Sequence, residues 1–234
     1  MPVTAGLAGL LLATSAVTAR GTELRSSRAL DVTQLIQRQQ RTLDGLTHDE
    51  ASLRVQISAA TAAAAAGNGT IRELRREADR LLGPAGLTAV VGPGVSVSLD
   101  DVPRAEQQRD LDSGAQPDDL VIHQQDVQGV VNALWAGGAD AMTIMGVRVI
   151  GTTAVRCVGN TLLLQGRVYS PPFVVTAIGD RRRLTRALDA DQAVQIFRQY
   201  VAAYGLGYHV SIHDNVRLSA YSGPLELSGV QAAS

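Results

Sequence analysis

The pattern of apolar positions changes twice along the chain. Residues 2–19 form an uncharged run that contains Leu7, Leu10, Leu11, Leu12 and Val17 and is closed by Arg20. As a helix this run spans roughly 27 Å, close to the hydrocarbon thickness of a bilayer. It predicts a membrane segment over residues 1–20, either an uncleaved anchor or a signal peptide with Val17-Thr18-Ala19 as its small-x-small cleavage site. A buried helix of a soluble domain is the third reading, and it lacks a partner, because no aromatic residue precedes Trp135. No basic residue precedes the run, while Arg20, Arg25 and Arg28 follow it. Taken literally, the positive-inside rule leaves the C-terminal side cytoplasmic; a start codon further upstream, behind a basic stretch, restores an anchor with an outer C-terminus, and that is the expectation adopted.

From residue 28 to 82 the apolar period is helical. One seam carries Val32, Ile36, Gln39, Leu43, Leu46, Glu50, Leu53, Ile57 and Ala60 in alternating steps of four and three, the pattern of a coiled coil. Gln39 and Glu50 are polar interruptions of the kind that set register. An amphipathic helix lying on its own domain is the alternative. Gly67-Asn68-Gly69 breaks the helix; Ile71, Leu74, Ala78 and Leu81 resume it among charged residues, and Gly83-Pro84 closes it. Residues 21–83 thus read as a helical stalk that forms a homodimer.

From residue 84 the period shortens. Residues 87–91 and 95–99 are strand-like runs joined through Gly92-Pro93-Gly94, which predicts a hairpin-like corner. Residues 100–119, polar with prolines at 103 and 117, predict a mobile loop without regular structure. A helix is expected over 123–136, where Val127, Val130, Val131, Leu134 and Trp135 recur at steps of three and four, and a second over 191–204. Strands are expected over 141–145, 147–150, 154–158, 161–164, 173–178 and 208–218. The order implies an α+β domain over residues 84–234, an antiparallel-rich sheet with two helices packed on one face.

Charge and composition narrow the function. A net charge of −1 with 21 basic residues, all arginine, argues against a nucleic-acid binder working through bulk charge. One cysteine permits no intrachain disulfide and no zinc site with more than one thiolate. All eight aromatic residues lie after residue 130, so the core is expected late in the chain.

Several blocks together resemble one family. They are residues 90–95 (Val-Val-Gly-Pro-Gly-Val) with Leu99-Asp100-Asp101, then Leu120-Val121-Ile122 with Asp126-Val127, then residues 131–141, which run Val-Asn-Ala-Leu-Trp-Ala-Gly-Gly-Ala-Asp-Ala. Arg148, Ile150 and Cys157-Val158-Gly159-Asn160 complete them. Over residues 30–229 the sequence is similar to the family called domain of unknown function 881. The resemblance implies a small bacterial protein with an N-terminal membrane anchor, a coiled-coil segment and an extracytoplasmic α+β domain, found near cell-wall and division genes. It implies no catalytic residues. A basic stretch ahead of the anchor is part of that pattern, and this sequence departs from it.

The candidate chemistry is sparse. Arg181, Arg182, Arg183 and Arg186 form the best contact surface, suited to phosphate, acidic lipid or an acidic protein face, against the plainer reading of a solvated helix start. Asn132, Arg148 and Asn160 are expected at one polar junction, either buried for folding or open as a recognition groove. His209 and His213 sit two strand steps apart, too far to chelate one ion, and are expected on an outward polar face opposite Val210 and Ile212. Cys157 reads as a small hydrophobe, with no motif supplying a base. Eight acids in residues 100–126 lack the spacing of a calcium loop, and the lone Gly-x-Gly is followed by strand, not helix.

No catalytic set, metal site or cofactor is therefore expected. The leading expectation is a non-enzymatic, single-pass plasma-membrane protein, its C-terminal domain outside the cytoplasm, that binds division or wall-synthesis proteins. An extracytoplasmic domain sensing a small molecule near Asn132 and Arg148 is the second reading, and an unrecognised hydrolase the third.

Overall fold

The computed structural model describes residues 24–223 and residue 225, so the membrane-segment expectation over residues 1–20 lies outside the described residues. Among the described residues no helix is long and apolar enough to cross a membrane. The chain divides into two compact units, residues 1–57 and 58–234.

The first unit is carried by helix α1 (Leu24–Gly67), which continues into the second. Of the expected seam, Leu46, Leu53 and Ile57 are 60%, 56% and 65% exposed. Glu50 is paired with Arg54 one turn on, at 2.7 Å. In the second unit Asn68 ends α1 and starts α2 (Gly69–Leu82), its Oδ1 accepting from the N–H groups of Thr70 at 2.9 Å and Ile71 at 3.2 Å. Arg75 on α2 donates to the Ser58 carbonyl at 3.3 Å, and Ala65 is buried at this fold-back.

The domain is built on β1 (Val90–Asp100), which pairs on both sides. After it come α3 (Arg104–Asp112), a 3₁₀ turn (Pro117–Leu120), α4 (Gln124–Ala136), β2 (Ala141–Ile144) and β3 (Val147–Val149). Then follow β4 (Val155–Val158), β5 (Thr161–Leu164), β6 (Arg167–Tyr169), β7 (Phe173–Ile178), α5 (Arg181–Ala190), α6 (Gln192–Tyr204) and β8 (Gly207–Leu218). The main sheet has the order β3-β2-β7-β1-β8, antiparallel throughout. The mixed α and antiparallel β architecture agrees with the expectation, and four details correct it.

First, Gly92-Pro93-Gly94 is not a corner. Gly92 pairs with Val216 and Gly94 with His213, so Asp214 and Asn215 bulge opposite Pro93 while the strand runs on. The bulge accommodates a proline that has no N–H to give. Gly94 serves close approach: a Cβ there would overlap the Ala177 carbonyl oxygen on β7. Second, three helices cover the sheet where two were expected. α5 was hidden because only Leu184 and Leu188 anchor it among charged residues, yet Asp180 caps its start and Asp191 ends it while capping α6.

Third, β4, β5 and β6 leave the main sheet and form their own three-stranded meander, which adds Leu162 and Leu164 to the common core. Fourth, residues 100–119 are not an irregular loop throughout. Gln107 donates to the Val102 carbonyl at 2.7 Å, Val102 N–H donates to the Leu120 carbonyl at 3.0 Å, and Leu120 is buried.

The core lies between the sheet and α4, α5 and α6. Val95, Val97 and Leu99 of β1 meet Phe173 and Val175 of β7, Val130 and Leu134 of α4, Leu184 of α5 and Phe197 of α6. One row of the opposite face is polar: Arg148, Thr143, Thr176, Ser96 and Ser211 stand in register across all five strands. Ser96 Oγ lies 2.9 Å from both Thr176 Oγ1 and His213 Nε2.

Two glycine substitutions separate these units. Gly94→Ala is expected to lower domain stability by about 2–4 kcal/mol, since two backbones must part. Gly45→Ala, whose Cβ meets nothing within 4 Å on α1, is expected to raise helix stability by about 1 kcal/mol. Thermal unfolding followed by circular dichroism checks both; an unchanged Gly94→Ala protein contradicts the strand pairing.

Candidate functional site

The arginine cluster begins where β7 ends. Asp180 Oδ1 accepts from the Arg183 N–H at 2.8 Å and starts α5, which sets Arg182 and Arg186 one turn apart on one face. Arg181, Arg182, Thr185 and Arg186 line an open groove of about 750 Å³ together with Ile212 of β8. Arg181 is ion-paired with Asp214, in the β8 bulge. Arg186 donates through Nε to the Arg182 carbonyl at 3.2 Å. Arg183 lies elsewhere, packed over Gly138, where φ is +83° and a Cβ would come within 3.0 Å of the guanidinium. Three of the four arginines therefore converge on one groove.

The expected polar junction is divided. Asn132, exposed on α4, lines a cavity of about 320 Å³ with Gln124, Gln128, Trp135, Thr153 and Val155. Arg148 lines a neighbouring cavity of about 370 Å³ with residues 83–86, Trp135 and Asp140. Trp135, Val149, Ile150 and Gly151 border both. Arg148 is only 5% exposed, and its Nη1 donates to the carbonyls of Thr88 and Ser219, each at 3.2 Å, tying the segments that lead into β1 and out of β8. Burial pulls the guanidinium pKa down from its usual value.

Asn160 is not part of this arrangement. It sits at the β4–β5 turn and donates to Asp101 Oδ2 at 3.1 Å, in a third cavity with Asp100, Arg104 and Gln107. The reason is the departure of the β4–β6 meander from the main sheet, which carries Asn160 to the acidic segment after β1.

His209 and His213 lie on extended β8, opposite Ser98 and Gly94 of β1, and His213 is engaged with Ser96. Among the described residues no three histidine, cysteine, aspartate or glutamate side chains come together as a metal site. Cys157 packs against the main core. Burial pushes its thiol up, with a hydrogen bond from the Gln124 backbone opposing the shift, which disfavours the thiolate a nucleophile needs. Asp126 on α4 is likewise raised by burial, against the His123 N–H that it accepts at 2.8 Å and the His123 charge.

Sequence reasoning missed two contributors. Ile212 and Asp214 become part of the arginine surface only because α5 packs beside β8, a juxtaposition with no local signal. The polar row across the sheet did have one, the Val-Ser-Val-Ser-Leu alternation of residues 95–99.

Residues 77–231 match the family described as a bacterial protein of unknown function, DUF881. The UPF0749 protein Rv1823 of Mycobacterium tuberculosis is 31% identical over 140 residues, 60% of this chain and 43% of that protein. Rv1825 of the same organism is 29% identical over 186 residues, 75% of this chain and 56% of the relative. YlxW of Bacillus subtilis is 30% identical over 95 residues, 41% and 38% of the respective chains. The matches thus span about half the length of these curated relatives, or less. A crystal structure of an uncharacterized conserved protein from Mycobacterium tuberculosis aligns with TM-score 0.48 and 27% identity, over 65% of this chain and 96% of the other. With about two thirds of its length inside the family match, the chain belongs to the DUF881 family of bacterial proteins.

Proposed function

We propose that the protein is a non-enzymatic, single-pass envelope protein, anchored by residues 1–20, that presents its α+β domain outside the cytoplasm on a dimeric stalk. The domain binds another protein of the division or wall-synthesis machinery. One observation carries this reading: α1 holds Leu46, Leu53 and Ile57 on a heptad seam, all more than half exposed. Each such side chain contributes about 1.5–3 kcal/mol when fully buried, so a second α1 laid along the seam stabilises the helix and the pair together. A shared anchor makes the pair parallel, and Gln39 and Glu50 then face their own copies, setting the register at some loss of stability.

A second reading is favoured by the two cavities that share Trp135, which together offer an indole, a buried guanidinium and amide side chains to a small molecule. In that case the domain is a sensor and the stalk passes on its state.

Sedimentation of the full chain tests the first reading. The native chain is expected to be a dimer and the Leu46→Asp, Leu53→Asp double variant a monomer with the same domain circular dichroism; a native monomer contradicts the stalk. Trp135 is the only tryptophan, so its emission reports the second reading. Titration with amino acids, small carboxylates and wall fragments should give a saturable change if the cavities hold a ligand, and a flat response rules against a sensor for those compounds.

A further inference from the structure

We propose that the free edge of β8 over residues 207–213, together with the arginine groove beside it, docks an extended acidic segment of a partner protein as a sixth strand of the main sheet. The inference rests on the reading of the domain as a protein-binding module and names the chemistry of what it binds.

The two edges of the sheet differ. β3 has three residues, and Arg148 in its middle is tied to the carbonyls of Thr88 and Ser219. β8 has twelve residues, contains no proline and, among the described residues, pairs only with β1. From residue 207 to 213 its register with β1 is unbroken, and the Asp214–Asn215 bulge ends the straight portion. Seven extended residues offer an edge roughly 23 Å long, with N–H and C=O groups directed outward. Natural sheets shorten, twist or cover such an edge, so an uninterrupted one invites an added strand.

The groove says what that strand carries. Ile212 is 61% exposed on the helix side of β8, next to Arg181, Arg182, Thr185 and Arg186. A strand laid about 4.8 Å outside β8 projects every second side chain into this groove. Arg181 already has Asp214, whereas Arg182 and Arg186 are exposed and have no carboxylate partner among the described residues. Carboxylates at alternate positions of the added strand meet these two guanidinium groups, where the planar fork favours bidentate pairing. The intervening side chains fall on the other face beside His209, Ser211 and His213, which suits small hydroxyl residues.

Other occupants fit less well. A second copy pairing β8 to β8 brings Tyr208, Val210 and Ile212 to the groove side and no acid. The chain after residue 223 has Glu226 as its sole acid. An anionic lipid surface can neutralise the arginines but has no backbone to pair with the edge.

The test uses the full chain and a labelled, end-blocked seven-residue peptide alternating threonine and glutamate, with fluorescence anisotropy for affinity and hydrogen exchange for location. Binding is expected, with slower exchange at amides within residues 207–213. The threonine–glutamine counterpart, and the native peptide on the Arg182→Gln, Arg186→Gln variant, should each bind about tenfold more weakly. A fully N-methylated peptide, unable to donate, should not bind. Equal binding of the glutamine or N-methylated peptides overturns the proposal without relying on any protein variant. So does absence of binding, protection confined to other residues, or binding of phosphatidylglycerol vesicles in place of the peptide. Sedimentation of the same samples keeps the two readings apart: a dimer that ignores the peptide counts against the docking edge, and a monomer that binds it counts against the stalk.

Discussion

Burial of one face of the main sheet beneath three helices is the constraint from which the rest of the domain follows. Val95, Val97 and Leu99 are fully buried on β1, while Ser96 and Ser98 between them retain exposure. Because strand side chains alternate, burying one face commits every neighbouring strand to the same parity. The opposite face must then be polar or find its own cover. Part of it is polar, in the row from Arg148 to Ser211, and part is a small apolar cluster of its own, Ala141, Ile178 and Leu218 with Val90 and Val216. At the β3 end Arg148 ties down the chain segments on either side of the β1–β8 pair. An arginine at 5% exposure is tolerated there because two carbonyls accept hydrogen bonds from its guanidinium.

The same constraint shapes the candidate surface. α5 buries only Leu184 and Leu188, so the remainder of this short helix is solvent-facing and carries arginine without loss of packing. It spans β1 but leaves Ile212 uncovered, and the β8 bulge places Asp214 where it holds Arg181. A groove, a cationic wall and a strand edge unpaired among the described residues thus come from three ordinary features: a capped helix, a bulge that absorbs a proline, and a sheet that ends in a long strand.

Much of this was legible in the sequence, and the failures have physical causes. The α4 and α6 helices, most of the antiparallel strands and the Asn68 break are local signals of period and capping, and they appear where expected, whereas the short strand at Arg167–Tyr169 has no such signal. Gly92-Pro93-Gly94 misled because glycine and proline mark both turns and bulges, and only the partner strands decide between them. The segment after β1 looked irregular because its polar composition hides Leu120, whose burial depends on distant residues. Asn132, Arg148 and Asn160 were grouped by sequence motif, but sheet assignment separated Asn160, and no local pattern specifies which sheet a short strand joins. The arginine cluster was visible as residues, and its groove was not, because Ile212 and Asp214 lie some thirty residues away.

Helix α1 obeys a different physics: Leu46, Leu53 and Ile57 are more than half exposed on it, and the proposed dimer supplies a second helix to cover them. Spin labels placed singly at residues 46 and 57, with Cys157 replaced by serine, measure this directly. In a parallel dimer both labels report one narrow distance distribution, short at each site because paired helices lie about 8–10 Å apart. Distances that are long at one site and short at the other indicate antiparallel chains, and absence of a dipolar signal indicates a lone helix; either result contradicts the dimeric stalk at the centre of the account.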